Sequence, residues 1–455
     1  MIGAGFGGIA AAVALQHDAD VVVLEREADV GGVWRDNAYP GAACDIPSHL
    51  YSFSFAPEHR WSRRFAPQPD ILAYLRRVVD EFGLRPRLRL STEVTEARFD
   101  DARSRWLLTT TGGDTVEADV LVTACGQLTR PARPDLPGLA SFRGPVVHSA
   151  RWDPSVDLRG RRVAVVGSGA SAVQIVPAIV DEVAHLDVFQ RSAAHFAPKP
   201  DRRYSALHRA LFRRVPGWRR AARALLMAVF ERAGAAPARA AGPVLRRIWD
   251  VLLLAQVPDA ALRERVRPAH PLGSRRILVS SDWYRALRRP HVDLVGDPIT
   301  AVTPDGVRTA DGAQHDADVV VLATGFQPEV FLAPTKVFGR DGRELSEAWQ
   351  HGAAAHLGVT VPGFPNLFLM HGPYTALRAG SVVHMIECQA RYVRQAIRRI
   401  AAGARTLEVR RDVADDFAAE MRERSPDGPR TEWPGTMREY ERRIERFDDA
   451  EYLFG

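Results

Sequence analysis

Lysine is nearly missing from this chain. Lys199 and Lys336 are the only two among 61 basic residues, so the formal net charge of +6 rests on arginine. The arginines are spread among acids along most of the chain rather than gathered in the runs that mark nucleic-acid arms, so no nucleic-acid partner is read from them. Anionic cofactors account equally well for a mild positive excess. Cysteine is also scarce. Cys44, Cys125 and Cys388 stand far apart, which excludes a disulfide framework and a zinc site, and no CxxC pair exists for dithiol chemistry. No uninterrupted run of about 18 apolar residues offers a membrane span. No signal-peptide pattern is present, and the reading is a cytoplasmic protein.

What is present is ordinary for a globular chain: 455 residues, 46% hydrophobic and 25% charged, enough for two or three domains. Its most informative feature is a pair of glycine-rich turns. The first, Gly3-Ala4-Gly5-Phe6-Gly7-Gly8, is followed by Val21-Val22-Val23-Leu24 and then Glu25. The second follows Val163-Ala164-Val165-Val166, reads Gly167-Ser168-Gly169-Ala170-Ser171-Ala172, and leads to a strand ending in Gln190-Arg191. Such glycines let a helix N-terminus approach a pyrophosphate closely. An acid at the next strand end suits a ribose 2′-OH, and an arginine suits a 2′-phosphate. The pair reads as one unphosphorylated adenine dinucleotide at the first turn and NADP at the second, which suggests a flavoprotein reduced by NADPH.

The expected fold is α/β, with two Rossmann-like dinucleotide-binding domains and a helical insertion in the NADP domain. The expected boundaries are 1–144 for the first part of the FAD domain and 145–195 for the linker and first part of the NADP domain. The helical insertion covers 196–272, the second NADP part 273–322, and the second FAD part with the C-terminal region 323–455. A β-meander is expected over Glu93 to Phe99, Arg105 to Thr111 and Thr115 to Thr123. Ser205 to Val266 reads as largely helical, with Leu207, Ala210, Leu211 and Leu226, Val229, Phe230 at helical spacing; the interleaved arginines allow a membrane-surface helix, but one packed and one solvated face is the reading preferred. Gln389 to Ala402 reads as an amphipathic helix, and Arg410 onward as charged and less regular. Only Met1-Ile2 precede Gly3, so the first turn is expected to lack its leading strand and the chain as given to start downstream of the natural start.

Between the two turns, Phe142-Arg143-Gly144-Pro145-Val146-Val147-His148-Ser149-Ala150-Arg151-Trp152-Asp153 resembles the signature of type I Baeyer–Villiger monooxygenases. Gly31-Gly32-Val33-Trp34-Arg35-Asp36-Asn37-Ala38-Tyr39-Pro40-Gly41-Ala42-Ala43-Cys44-Asp45 resembles the same family's second signature. Phe189-Gln190-Arg191-Ser192, Leu272-Gly273-Ser274-Arg275-Arg276, Ala323-Thr324-Gly325-Phe326 and His371-Gly372-Pro373 match it in order. The resemblance implies that NADPH reduces FAD and that reduced flavin and O₂ give a flavin peroxide. Attack on a lipophilic ketone then yields an ester or lactone.

By the same resemblance Arg276 is the catalytic cation, Asp45 its orienting partner, and Arg275 a contact to the NADP phosphate. His148 and Trp152 couple domain rotation to catalysis. The expected cofactor-binding residues are Gly3, Gly5, Gly8, Glu25, Gly32, Val33, Trp34, Tyr39, Asp45, Val94, Gly126, Gly167, Ser168, Gly169, Ser171, Gln174, Arg191, Ser192, Arg275 and Gly372. No metal is expected. Alternatives are an N- or S-oxygenating flavin-containing monooxygenase, which Trp152 disfavours, and an uncoupled NADPH oxidase or non-oxygenating flavoprotein. Two departures bear on efficiency. The stretch from Arg424 to Glu432 lacks the family's loop ahead of Trp433-Pro434-Gly435, and Tyr374, Ala376, Arg378 and Ala379 replace family residues after Gly372-Pro373.

Overall fold

Strands covered on both faces read as continuous aliphatic runs, and two such runs, Val163 to Val166 and Val319 to Leu322, lie side by side inside one parallel sheet. The computed structural model describes residues 1–235, 242–272, 275–377, 379–425 and 431–455. In the NADP half, the strands Val292–Val295, His185–Phe189, Arg162–Val166, Val319–Leu322 and Val146–His148 lie side by side in that order, all parallel. A three-stranded antiparallel excursion, Ile299–Thr303, Gly306–Thr309 and Gln314–Asp316, leaves this sheet and returns to it.

The FAD half is built on the same plan. Leu88–Arg89 pairs with Val23–Leu24, and Leu121–Thr123 pairs with Leu367–Leu369, both in parallel. Ile2 bridges Leu24 on one side and Thr123 on the other. The Ile2 N–H donates to Val122 O at 2.9 Å, and the Gly3 N–H to Leu24 O at 2.8 Å. The expectation of a missing leading strand is thereby corrected: Met1 and Ile2 fill the central position and pair both neighbours.

The meander forms Val94–Asp100, Arg105–Thr110 and Thr115–Ala118, with Lys336–Phe338 added in parallel to the first strand. Its last strand stops at Ala118. Leu121–Thr123 belongs to the other sheet, so the expected single strand to Thr123 is two. The long C-terminal helix runs over Val382–Ala401, seven residues earlier than its amphipathic pattern suggested, and packs on the helix Phe6–Leu15. Its early turns are buried on most sides (Val383, Met385, Ile386), which hides the periodicity. The region after Arg410 is more regular than expected: helices Arg411–Arg424 and Met437–Ile444 follow, and Tyr452–Phe454 pairs antiparallel with Leu407–Val409.

The insertion is helical as expected, over Ala206–Arg214, Pro216–Ala235, Gly242–Gln256 and Ala260–Arg265. Its apolar pattern divides differently. Phe212 is buried, but Leu207, Leu225 and Val229 face solvent, so Leu207 and Val229 do not lie on packed faces. No helix among the described residues is long and apolar enough to cross a membrane.

Candidate active site between two dinucleotide turns

Each glycine turn opens onto a helix whose first N–H groups are left free. Phe6–Leu15 begins at Gly5 and Ala170–Ile179 at Gly169; neither has a side-chain cap or an acid in its first turn. Exposed helix-start donors without a protein partner suit a pyrophosphate. A Cβ on Gly8 would lie 1.9 Å from Gly3 O, and one on Gly5 would lie 3.5 Å from the Gly32 Cα. The first turn is thus a narrow slot between Gly5 and the Gly31-Gly32 segment. Gly169 has nothing within 4 Å of its Cβ direction, so the second turn opens to space.

Glu25 is buried, and its Oε2 accepts from the Ala4 N–H at 2.7 Å. Its Oε1 accepts from the Glu27 N–H at 3.1 Å and from Arg35 at 3.3 Å. A carboxylate has about four acceptor positions, so capacity for ribose hydroxyls is left. Arg35 was not foreseen, because nothing in the local pattern of Gly31 to Asp36 marks it as Glu25's counter-ion.

Arg191, Ser192 and Arg275 line a cavity of about 460 Å³ together with Arg265, Arg267 and His270. Among the described residues neither Arg191 nor Arg275 has an acidic partner, whereas Arg267 pairs with Asp250 at 3.0 Å. The Ser168 hydroxyl donates to Ser192 O at 3.2 Å and fixes the turn beside this cavity. Four guanidinium groups around one open cleft match a phosphomonoester dianion. Arg265 and Arg267 come from the insertion, and no sequence spacing relates them to Gly167.

Other expected residues join the halves to each other. The Tyr39 hydroxyl donates to Gln174 Oε1 at 3.0 Å, and Gln174 Nε2 donates to Ala43 O at 2.9 Å. A Cβ on Gly41, where φ is +79°, would lie 2.4 Å from Gln174 O, so only glycine permits this approach. Tyr39 and Gln174 thus bond across the two halves and staple them together. Burial holds the Tyr39 phenol above its ordinary pKa. Trp34, on the turn Val33–Asp36, donates to the Tyr51 hydroxyl at 3.0 Å.

Asp45 and Arg276 meet across the two halves in a charge-assisted hydrogen bond. Asp45 sits in a loop held by the Cys44 N–H, which donates to Ala66 O at 2.9 Å. Arg276 lies just before Leu278–Val279, which pairs in parallel with Phe196–Ala197. The Asp45 carboxylate, against the effect of burial, holds the Arg276 guanidinium above its ordinary pKa. Burial also pushes the Cys44 thiol up, so it stays protonated beside the pair. Lys199 lies in the same field, its ammonium 5.3 Å from the Phe65 ring, and burial lowers its pKa.

His148 ends its strand buried. Its Nδ1 accepts from the Ala150 N–H at 3.1 Å, and its Nε2 lies 3.4 Å from Thr324 Oγ1. Thr324 in turn donates to Ala132 O at 2.6 Å. One imidazole thus joins the linker from the FAD half to the last NADP strand, and burial keeps it below its usual pKa. Trp152 packs on the NADP-half core. Val94 is buried at the start of the meander and its carbonyl accepts from Thr335 at 2.9 Å.

Gly126, with φ +75°, follows the strand Leu121–Thr123, and the adjacent Gln127 donates to the carbonyls of His371 and Gly372 at 3.0 and 3.1 Å. Tyr374 is buried toward Phe417, ring centroids 6.2 Å apart, so this replacement fills the C-terminal core. Gly273, Ser274 and Arg378, and Pro426 to Arg430 of the shortened stretch, lie outside the described residues.

Residues 1–210 match the family model described as pyridine nucleotide-disulphide oxidoreductase. A Baeyer–Villiger monooxygenase of Streptomyces coelicolor is 42% identical over 475 residues, covering 99% of this chain and 91% of that protein. Among solved structures, an oxidized steroid monooxygenase bound to NADP superposes with a TM-score of 0.90 at 32% identity, over 100% of this chain and 98% of that one. An OTEMO complex with FAD and NADP superposes at 0.89 with 28% identity, over 100% and 98%. Two uncapped glycine turns, a cationic cleft at the second and an Asp–Arg pair between them are thus found in a chain that belongs to the Baeyer–Villiger monooxygenase family of flavin-dependent monooxygenases.

Proposed function

We propose that the chain, with FAD and NADPH as cofactors, inserts one oxygen atom from O₂ beside the carbonyl of a lipophilic ketone to give an ester or lactone. The observation that carries this reading is the Arg276–Asp45 pair, a permanent cation held by a carboxylate from the other half of the chain. When bound, FAD supplies the redox chemistry, accepting hydride from NADPH and activating O₂.

The chain's residues bind, orient and stabilise. The free N–H groups after Gly5 hold one pyrophosphate and those after Gly169 the other. Glu25 accepts from the FAD ribose, and Arg191 with Arg275 grips the 2′-phosphate that distinguishes NADPH. Arg276 opposes the negative charge that develops on the reacting oxygens, and it does so at any pH because arginine keeps its proton. Asp45 is a positioning residue that fixes the direction of that charge. Cys44, neutral beside the pair, adds no competing anion. His148 and the Tyr39–Gln174 staple couple the two halves when the second cofactor enters or leaves.

The test is product analysis of flavin-loaded enzyme with NADPH, O₂ and a ketone panel. Ester or lactone supports the reading. Oxidation of an amine or sulfide with every ketone untouched overturns it.

A further inference from the structure

The helical insertion carries a charge and a surface that oxygenation chemistry does not use. From Ser205 to Gln256 there are ten arginines, no lysine and two acids, Glu231 and Asp250. That formal +8 exceeds the +6 of the whole chain, so the remainder is net negative.

One side of the insertion is anchored. The buried Phe212 ring stacks on His49 with centroids 3.8 Å apart. Arg223 donates to the carbonyls of His49 and Ser52 at 3.3 and 2.8 Å and faces the buried Glu387 at 3.6 Å. The other side of the same helix is apolar and bare: Trp218, Leu225 and Val229 are 51%, 66% and 52% exposed. Their spacing of seven and four residues puts them on one stripe. Helix Gly242–Gln256 repeats the arrangement, burying Trp249 and Leu253 while Leu245, Ile248, Val251 and Leu254 face solvent. Arg213, Arg214, Arg220, Arg232, Arg246 and Arg247 are exposed on these helices.

We propose that the insertion docks on an anionic membrane surface, with its apolar stripes at the headgroup–acyl boundary and its arginines on lipid phosphates. Charge selects this occupant. A second copy of the chain would bring two +8 surfaces together, and a nucleic acid would leave Trp218, Leu225 and Val229 in water. An anionic bilayer takes both the charge and the apolar area. The surface is distinct from the Arg276–Asp45 site, so the proposal stands or falls apart from the oxygenation reading.

Full-length, flavin-loaded protein is floated with vesicles of phosphatidylcholine alone or mixed with phosphatidylglycerol, at low and physiological salt. The expected result is flotation with the anionic vesicles only, weakening as salt rises. The variant carrying Trp218→Gln, Leu225→Gln and Val229→Gln changes exposed positions only, and its binding should fall by at least about tenfold. Arg246→Gln with Arg247→Gln should lower binding to anionic vesicles by about tenfold and supplies an independent arm. Wild-type protein that remains at the bottom with anionic vesicles overturns the proposal, as does undiminished flotation of both variants. A wild-type dimer in analytical ultracentrifugation that the triple variant dissolves also overturns it, assigning the face to a second copy.

Discussion

The two glycine turns share a helix start without a cap, yet one is closed and the other open. At the first, Gly5 and Gly32 approach within contact distance and Glu25 is buried under Ala4 and Arg35. At the second, Gly169 meets nothing, and Arg191 and Arg275 stand around a cavity of about 460 Å³. A closed slot suits a cofactor that stays through many turnovers, and an open cationic cleft suits one that is exchanged in each. Between them, the Asp45–Arg276 bond and the Tyr39–Gln174 staple are the contacts that exchange must respect.

The largest effect is expected where the two sites meet. Arg276→Ala should keep NADPH-driven bleaching of the flavin but lower ester formation by at least about 10²-fold, the size seen when one preorganised charge-stabilising donor is lost. Stopped-flow reduction and product yield, measured on one preparation, separate these effects. Equal loss of both would remove Arg276 from the oxygenation step.

A crossed pair of variants then tests the contrast between the turns. Arg191→Ala should lower the preference for NADPH over NADH by about 10- to 100-fold, the worth of a hydrogen bond to a charged group, and leave flavin content unchanged. Glu25→Gln should do the reverse, losing flavin on gel filtration while the preference persists. If each variant disturbed both cofactors alike, the division of labour would collapse.

Gly41→Ala probes the seam. The added methyl would meet Gln174 O at 2.4 Å in a backbone conformation that disfavours alanine. Stability should fall by about 1–3 kcal/mol in denaturant titration. An unchanged midpoint would mean that the loop Tyr39 to Ala43 does not need its close approach to Gln174.

The last effect is on pH dependence. Burial lowers the His49 pKa to about 3, below the ordinary 6.5. The neutral ring therefore contributes stability that is complete above the unfolded value and is lost as pH falls from 6.5 toward 3. His49→Phe, which keeps the stack on Phe212, should flatten this acid limb relative to wild type. An equally steep limb in the variant would assign the loss to other buried histidines.

Much of this is legible in the sequence. The turns at Gly3 and Gly167 are local signals, as are the strands feeding them, because valine runs and glycine spacing are read within a few residues. The meander is legible for the same reason, but the break after Ala118 is not, because the apolar run to Thr123 continues across it. The Asp45–Arg276 pair lies 231 residues apart in sequence and was reached only through family resemblance. Arg265 and Arg267 were not reached at all, since the fold alone brings the insertion to the NADP cleft. The insertion's helices were read correctly but their faces were not. Apolar residues at helical spacing report a stripe, and spacing alone does not say which side of the helix is covered. The buried first turns of Val382–Ala401 fail conversely, since burial on nearly all sides erases the periodicity that marks a helix.

The most direct test of the central claim follows the oxygen atom. Flavin-loaded enzyme, NADPH and a lipophilic ketone are incubated under heavy-isotope O₂, and the products are analysed by mass spectrometry. The account predicts an ester or lactone carrying one labelled oxygen, formed by wild type and absent with Arg276→Ala. Recovery of unchanged ketone across the panel, with NADPH consumed and hydrogen peroxide accumulating, would contradict it.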